Sequence, residues 1–181
     1  MKTINEIITA ARGDIELDLV LKNARLVNVL SAEIYETDIA IYDNYIVGVG
    51  EKYNAKQEIE LSGQYIMPGF IDGHVHIESS MLEVPQFARA VVPLGTTSVI
   101  ADPHEIANIF GYEGIRYMME ASKYNPVNVF FMMPSCVPST KLETAGSELR
   151  AFDIFPFLRE KWVLGLGEMM NFPGVVYGDG E

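Results

Sequence analysis

Residues 67–80 have the sequence Met67-Pro68-Gly69-Phe70-Ile71-Asp72-Gly73-His74-Val75-His76-Ile77-Glu78-Ser79-Ser80. Side chains alternate between two faces along a β-strand, so a strand over 70–77 separates ionisable from apolar residues. One face carries Asp72, His74, His76 and Glu78, and the other carries Ile71, Val75 and Ile77. Histidines two positions apart lie about 6.6 Å apart along the backbone, so both rings can reach one cation at about 2.1 Å. The stretch therefore predicts a metal site on a strand.

The composition is typical of a soluble globular protein, with 49% hydrophobic and 21% charged residues among 181. The chain has 13 basic and 25 acidic residues, a net charge of −12. This acidic surface repels phosphate groups, so neither nucleic acid nor an anionic membrane is an expected partner. A single cysteine excludes an internal disulfide. No apolar run approaches the roughly 20 residues of a membrane span, and the N-terminus lacks a signal-peptide pattern. We expect a cytoplasmic protein.

The chain before residue 68 is predicted to form a helix and then a small β subdomain. Thr3 and Glu6 fit a capping box, and apolar residues at helical spacing follow, which predicts an N-terminal helix within 1–14. Short alternating runs at 19–21, 25–29, 37–42 and 45–50 predict the strands of a small β subdomain over 15–67, with a hairpin turn at Asp43-Asn44. A unit of roughly fifty residues is near the lower limit for an independent core, so we expect this subdomain to be incomplete alone.

From 68 to 181, predicted strands alternate with predicted helices. The strands cover 70–77, 96–101, 127–133 and 162–168, and the helices lie near 84–92, 112–122 and 153–160. This order predicts an α/β domain with a parallel sheet. Polar residues follow the strand ends, where sites lie in both doubly wound sheets and (β/α)₈ barrels.

The residues alone leave two interpretations for each of the other candidate groups. Asp102-Pro103-His104-Glu105 fits a helix-capping turn as well as a metal- or substrate-binding segment. Glu168 follows two nearby glycines, and a lone glutamate is more often solvated than bound to a metal. Cys136 has no base near it in sequence, which favours an incidental thiol. A metal at the two histidines would act on water, lowering its pKa to about 7, which indicates hydrolysis.

Residues 68–76 resemble the first-strand signature of the amidohydrolase superfamily. Segments 100–108 (Ile-Ala-Asp-Pro-His-Glu-Ile-Ala-Asn) and 165–174 (Gly-Leu-Gly-Glu-Met-Met-Asn-Phe-Pro-Gly) are similar to the bacterial-type adenine deaminase family within it. The resemblance implies the first half of a (β/α)₈ TIM-type barrel, four βα units over 68–181, preceded by the small β subdomain. It also implies hydrolysis of adenine to hypoxanthine and ammonia in purine salvage, by a protein that is a homo-oligomer when complete.

The same resemblance implies a dinuclear centre of divalent metal, with manganese or iron favoured and zinc as the alternative. His74 and His76 would bind one metal, and Glu168 would be the catalytic bridging carboxylate. A further set would contact substrate or support the ligands: Glu78, Ser79, Asp102 and His104. The family's other histidines and its proton-shuttling aspartate are expected beyond residue 181, so these 181 residues are expected to be inactive alone.

Two rival functions remain open. One is another amidohydrolase acting on a cyclic amide, of the dihydroorotase or hydantoinase type. The other is a truncated, non-catalytic fragment that binds metal. Deaminases that combine His-x-Glu with a Pro-Cys-x-x-Cys zinc motif are excluded, because a chain with one cysteine cannot contain Pro-Cys-x-x-Cys.

Overall fold

A computed structural model describes residues 2–50 and 52–180, which form two compact units, one ending at Pro68 and the other beginning at Gly69. The first unit contains α1 (Ile4–Arg12), β1 (Leu17–Asn28), β2 (Glu33–Tyr42), β3 (Tyr45–Val49), β4 (Ala55–Glu60) and β5 (Tyr65–Ile66). The second contains β6 (Phe70–Val75), α2 (Val84–Val91), β7 (Thr96–Ala101), α3 (His104–Ala121), β8 (Asn128–Met133), α4 (Ala151–Ile154), β9 (Val163–Leu166) and α5 (Phe172–Val176). Among the described residues, no helix is long and apolar enough to cross a membrane.

In the first unit, the predicted capping box and hairpin are confirmed. Thr3 Oγ1 accepts the Glu6 N–H, and the Glu6 carboxylate accepts the Thr3 N–H, so both free amides are satisfied at the start of α1. The sheet order is β3-β2-β1-β4, with β5 also paired to β1, and the β2–β3 turn is at Asp43-Asn44. The prediction missed β4, because its sequence Ala-Lys-Gln-Glu-Ile-Glu is mostly polar and its side chains are largely exposed.

One buried ion pair lies inside this first unit. Asp38 is 2% exposed, its carboxylate is 2.6 Å from Lys22 Nζ, and it accepts the Asn23 N–H at 2.9 Å. Burial acts to raise the pKa of Asp38, but the hydrogen bonds from Lys22 and Asn23 outweigh it, and the pKa is lowered. The folded state therefore holds Asp38 as a carboxylate.

The second unit contains the predicted parallel sheet, in the order β6-β7-β8-β9. Alternate residues of β8, namely Val129, Phe131 and Met133, are buried in a core that also includes residues of α2 and α3. This alternation leaves the opposite side of β8 partly exposed, as period-two patterning requires. The α/β class predicted from the strand and helix order is confirmed at this level.

The ends of several elements differ from the prediction. Strand β6 ends at Val75, because Ile77–Ser80 forms a 3₁₀ turn, so His76 follows the strand and Glu78 leaves its ionisable face. On the face predicted to be apolar, Ile71 is 68% exposed, since β6 is an edge strand of the described sheet.

The predicted helices differ more than the strands. Helix α3 begins at His104, eight residues before the predicted start, and is kinked at Gly111, which has φ 57°. Only glycine adopts this left-handed backbone without strain, so a continuous helical pattern is broken there. The predicted helix over 153–160 is instead α4 and a separate 3₁₀ turn, because Pro156 lacks the N–H that a helix needs.

Candidate metal centre

The candidate ligands lie at the carboxyl ends of three strands of the second unit. His74 and His76 are at the end of β6, Asp102 directly follows β7, and Glu168 lies two residues after β9. Because β6, β7, β8 and β9 are parallel, their carboxyl ends meet at one edge of the sheet. Residues far apart in sequence therefore lie together.

Two imidazoles and one carboxylate face a common point. The Nε2 atoms of His74 and His76 are 3.0 Å apart, and Glu168 Oε1 is 3.7 Å and 3.3 Å from them, respectively. One ion bound about 2.1 Å from each nitrogen requires the two nitrogens to be at most about 4.2 Å apart. Their separation of 3.0 Å is within this limit, so one ion can contact both rings. These three side chains have potential ligand atoms within 4.8 Å of one another.

The orientation of His76 is fixed by a backbone contact. Its Nδ1 lies 2.8 Å from the carbonyl oxygen of Asp102, and because a carbonyl only accepts, Nδ1–H is the donor. Neutral His76 then carries its lone pair on Nε2, which faces His74 and Glu168. Histidine ligands in metal sites are oriented in this way by a hydrogen bond to the opposite ring nitrogen.

The backbone of Glu168 is held on both sides. Its N–H donates to Asp102 Oδ2 in a long hydrogen bond of 3.4 Å, and its carbonyl accepts from Ser135 Oγ at 2.6 Å. The Glu168 side chain is 45% exposed and extends toward the histidines. Ser135 is not one of the site residues predicted from sequence, although its place just after β8 is similar to that of Asp102 after β7.

A second group of donors adjoins the first. Asp102 is fully buried, and its Oδ1 lies 3.6 Å from His104 Nδ1; neither atom has a hydrogen-bond partner among the described residues. His104 Nδ1 is also 4.0 Å from Glu168 Oε1. Burial raises the pKa of Asp102, while His104 and the Glu168 N–H act to lower it. Together with His76, these two residues form another set that could hold an ion.

Glu78 and Ser79, in the 3₁₀ turn after β6, contact the start of α3 through their side chains. Glu78 Oε1 accepts the Ile106 N–H at 3.2 Å, and Ser79 Oγ donates to Glu105 at 2.5 Å. Burial raises the pKa of Glu78, whose Oε2 is buried with no hydrogen-bond partner among the described residues. Both side chains thus stabilise the N-terminus of α3, where free amides favour an acidic group. Their contact with substrate stays a prediction.

The amidohydrolase family model matches residues 65–175, more than half of the chain. The chain belongs to the amidohydrolase family. Its relatives include the adenine deaminases of Clostridium acetobutylicum, 54% identical over the whole chain, and of Dehalococcoides mccartyi, 52% identical over 97% of it. The adenine deaminase of Archaeoglobus fulgidus is 49% identical over the whole chain. The chain spans about a third of the length of these curated relatives, 31–32% of each.

A solved structure has a similar fold. The N-acyl-D-glutamate deacylase of Bordetella bronchiseptica, crystallised with zinc and a phosphonate inhibitor, matches with a TM-score of 0.60. The match covers 90% of this chain and 40% of that one, at 17% identity. At 17% identity, this likeness supports the α/β fold of the present chain and nothing about its substrate.

Membership of the amidohydrolase family implies a divalent metal, and the residues present fit one. Two imidazole nitrogens and a carboxylate oxygen form a donor set that suits zinc, manganese and iron. The unpaired buried atoms of Asp102 and His104 lie beside this set, where a bound cation or its water would give them a partner.

Proposed function

We propose that this amidohydrolase chain is the N-terminal portion of an adenine deaminase, which converts adenine and water to hypoxanthine and ammonia. The main support is the combination of roughly 50% identity to adenine deaminases along almost the whole chain with the cluster of His74, His76 and Glu168. Fold likeness alone would not favour this substrate, because one fold supports many activities.

We assign the second unit to the first half of a (β/α)₈ barrel. Its four parallel strands in sequential order, each followed by polar residues at the carboxyl end, are what that fold requires of its first four βα units. The sheet of the first unit, within 15–67, is then the part of the small β subdomain that precedes the barrel. The family's remaining ligands and its proton-shuttling aspartate are expected in the residues after 181.

Each candidate side chain has a role in this proposal. His74 and His76 would hold one cation through Nε2, and Glu168 would supply the carboxylate of a dinuclear centre, with manganese or iron favoured and zinc as the alternative. Bound cations of this kind supply Lewis acidity, which lowers the pKa of water to about 7. The Asp102 carbonyl keeps His76 in the tautomer with a free Nε2, and the Asp102 carboxylate and Ser135 hold the backbone of Glu168.

The second unit has a cavity of a size that suits a small molecule; Ser135, which contacts the Glu168 backbone, lines it, but His74, His76 and Glu168 do not. The cavity, of about 480 Å³, is lined by Ser135, Leu166 and Met169, among other residues of the second unit. Sites for small ligands commonly have volumes of about 300–1,000 Å³. The net charge of −12 disfavours nucleic acid as a partner. We further propose that the complete protein is a cytoplasmic homo-oligomer that acts in purine salvage.

Ammonia release tests the proposal. The full-length protein that contains this chain, loaded with Mn²⁺, is assayed with adenine, dihydroorotate and hydantoin, and hypoxanthine is quantified by chromatography. We expect equal amounts of ammonia and hypoxanthine from adenine and no turnover of the cyclic amides. Turnover of a cyclic amide without turnover of adenine would contradict the assignment. Turnover of adenine by residues 1–181 alone would show that no group beyond residue 181 is needed.

A further inference from the structure

Asp102 connects the ends of three strands through its backbone and its side chain. Its N–H donates to the Val75 carbonyl at 3.0 Å, and its own carbonyl accepts from His76 Nδ1 at 2.8 Å. Its Oδ2 accepts the Glu168 N–H at 3.4 Å. Asp102, directly after β7, thus contacts two candidate ligands, His76 at the end of β6 and Glu168 after β9.

Gly167 provides the space that the Asp102 carboxylate occupies. A Cβ atom at Gly167 would lie 2.2 Å from Asp102 Oδ2 and 2.9 Å from its Cγ, closer than real Cβ atoms approach other heavy atoms. The Gly167 N–H also donates to the Met133 carbonyl at 2.7 Å, which holds this backbone against the end of β8. The absence of a side chain at 167 allows the carboxylate to reach the next amide.

A buried carboxylate at this place is costly unless it makes specific interactions. Asp102 is fully buried, and among the described residues its one ion-pair partner is His104, at 3.6 Å. Burying a charge without full pairing is unfavourable, so a neutral residue of similar size would stabilise the fold more. The interactions of Asp102 with the segments of His76 and Glu168 give the position another role.

We propose that Asp102 is a positioning residue that aligns Glu168 with His76, so that both bind the same cation. The hydrogen bond to the Glu168 amide fixes where that side chain begins, and the hydrogen bond from His76 fixes its ring. Groups that hold metal ligands in place in this way typically contribute 10–100-fold to metal affinity. This inference rests on the proposed metal centre and does not depend on adenine being the substrate.

Titration of the metal-free, full-length protein with Co²⁺, followed by its visible absorption and by competition with a chelator, tests the role of Asp102. We expect Asp102→Ala to bind Co²⁺ about 10–100-fold more weakly, because the Glu168 amide loses its acceptor. Asp102→Asn keeps an oxygen acceptor and the backbone carbonyl, so we expect an affinity within about threefold of wild type. Val129→Ala, a change in the buried core of the same unit, lowers stability and serves as the matched control with unchanged affinity.

The outcomes separate the positioning role from the metal centre. Wild-type affinity in Asp102→Ala would overturn the positioning role, and so would an equal loss in Val129→Ala, which would attribute the loss to general destabilisation. An Asp102→Asn variant as weak as Asp102→Ala would also overturn it, because the acceptor would then not be what matters. If the wild-type protein failed to bind Co²⁺, the metal centre of the proposed function would be refuted instead.

Discussion

Replacing Gly167 by alanine tests the close packing around the candidate centre. The added Cβ would be 2.2 Å from Asp102 Oδ2, so one of the two must move by at least about 0.8 Å to reach the shortest contact that real Cβ atoms show. Asp102 is fully buried and cannot rotate into solvent, so we expect its bond to the Glu168 amide to break. Overpacking of this kind costs about 1–3 kcal/mol in the free energy of unfolding.

Gly165→Ala is the matched control for this change. A Cβ at Gly165 would have its nearest neighbour, Met132 Cε, at 3.7 Å, which is ordinary van der Waals contact. Alanine in a strand is favoured over glycine by about 0.5–1 kcal/mol, so this variant should be as stable as wild type or slightly more. Urea unfolding with equal slopes gives the difference in free energy directly. If both variants unfold at the same urea concentration and bind metal equally, the close packing of the Asp102 carboxylate against Gly167 is refuted.

Three further predictions concern other contacts. Glu168→Gln in the full-length protein should lower the amount of bound metal and the deaminase activity together. A variant that keeps two bound metals and the wild-type rate of deamination would show that Glu168 is not part of the centre. Ser135→Ala removes one hydrogen bond to the Glu168 carbonyl and should weaken Co²⁺ binding by about threefold to tenfold; unchanged affinity would show that this bond does not orient Glu168. Asp38→Asn should destabilise the first unit by about 2 kcal/mol at pH 7, since it removes the buried carboxylate that pairs with Lys22. Lys56→Gln, at an exposed pair, should change stability much less. The pKa of Asp38 is lower in the folded state, so its contribution to stability is full above its unfolded pKa of about 3.9 and is lost as the pH falls through the lower folded pKa. Hydrogen exchange of the β1 and β2 amides, measured against pH, follows this loss of stability. A loss of stability on raising the pH would contradict the prediction.

The strand and helix order of the second unit was predictable because hydrophobic periodicity is a local signal. The runs at 96–101 and 127–133 are rich in β-branched or aromatic residues and form β7 and β8 within one residue of the predicted ends. Strand β4 was missed because an exposed edge strand needs little apolar surface, so its sequence resembles that of a loop. Helix α3 was predicted too short because the kink at Gly111 divides its pattern.

The candidate site was predictable in part for the same reason. His74 and His76 lie two positions apart, so their convergence follows from strand geometry. The family resemblance placed Asp102 among the residues that support the ligands, but the contact it makes was not predictable, because its burial and its bond to Glu168 depend on a glycine in a distant segment. The sequence around Asp102 fits a helix-capping turn equally well, and Glu78 shows that this kind of role does occur here, since its carboxylate caps α3.

The most direct test of the central claim is the position of the metal. In crystals of the full-length protein grown with Mn²⁺, anomalous scattering locates the cation without reference to any assumed ligand. The account predicts a cation within about 2.3 Å of the Nε2 atoms of both His74 and His76, with the Glu168 carboxylate also bound to it. A cation held elsewhere, with these two nitrogens uncoordinated, would contradict it.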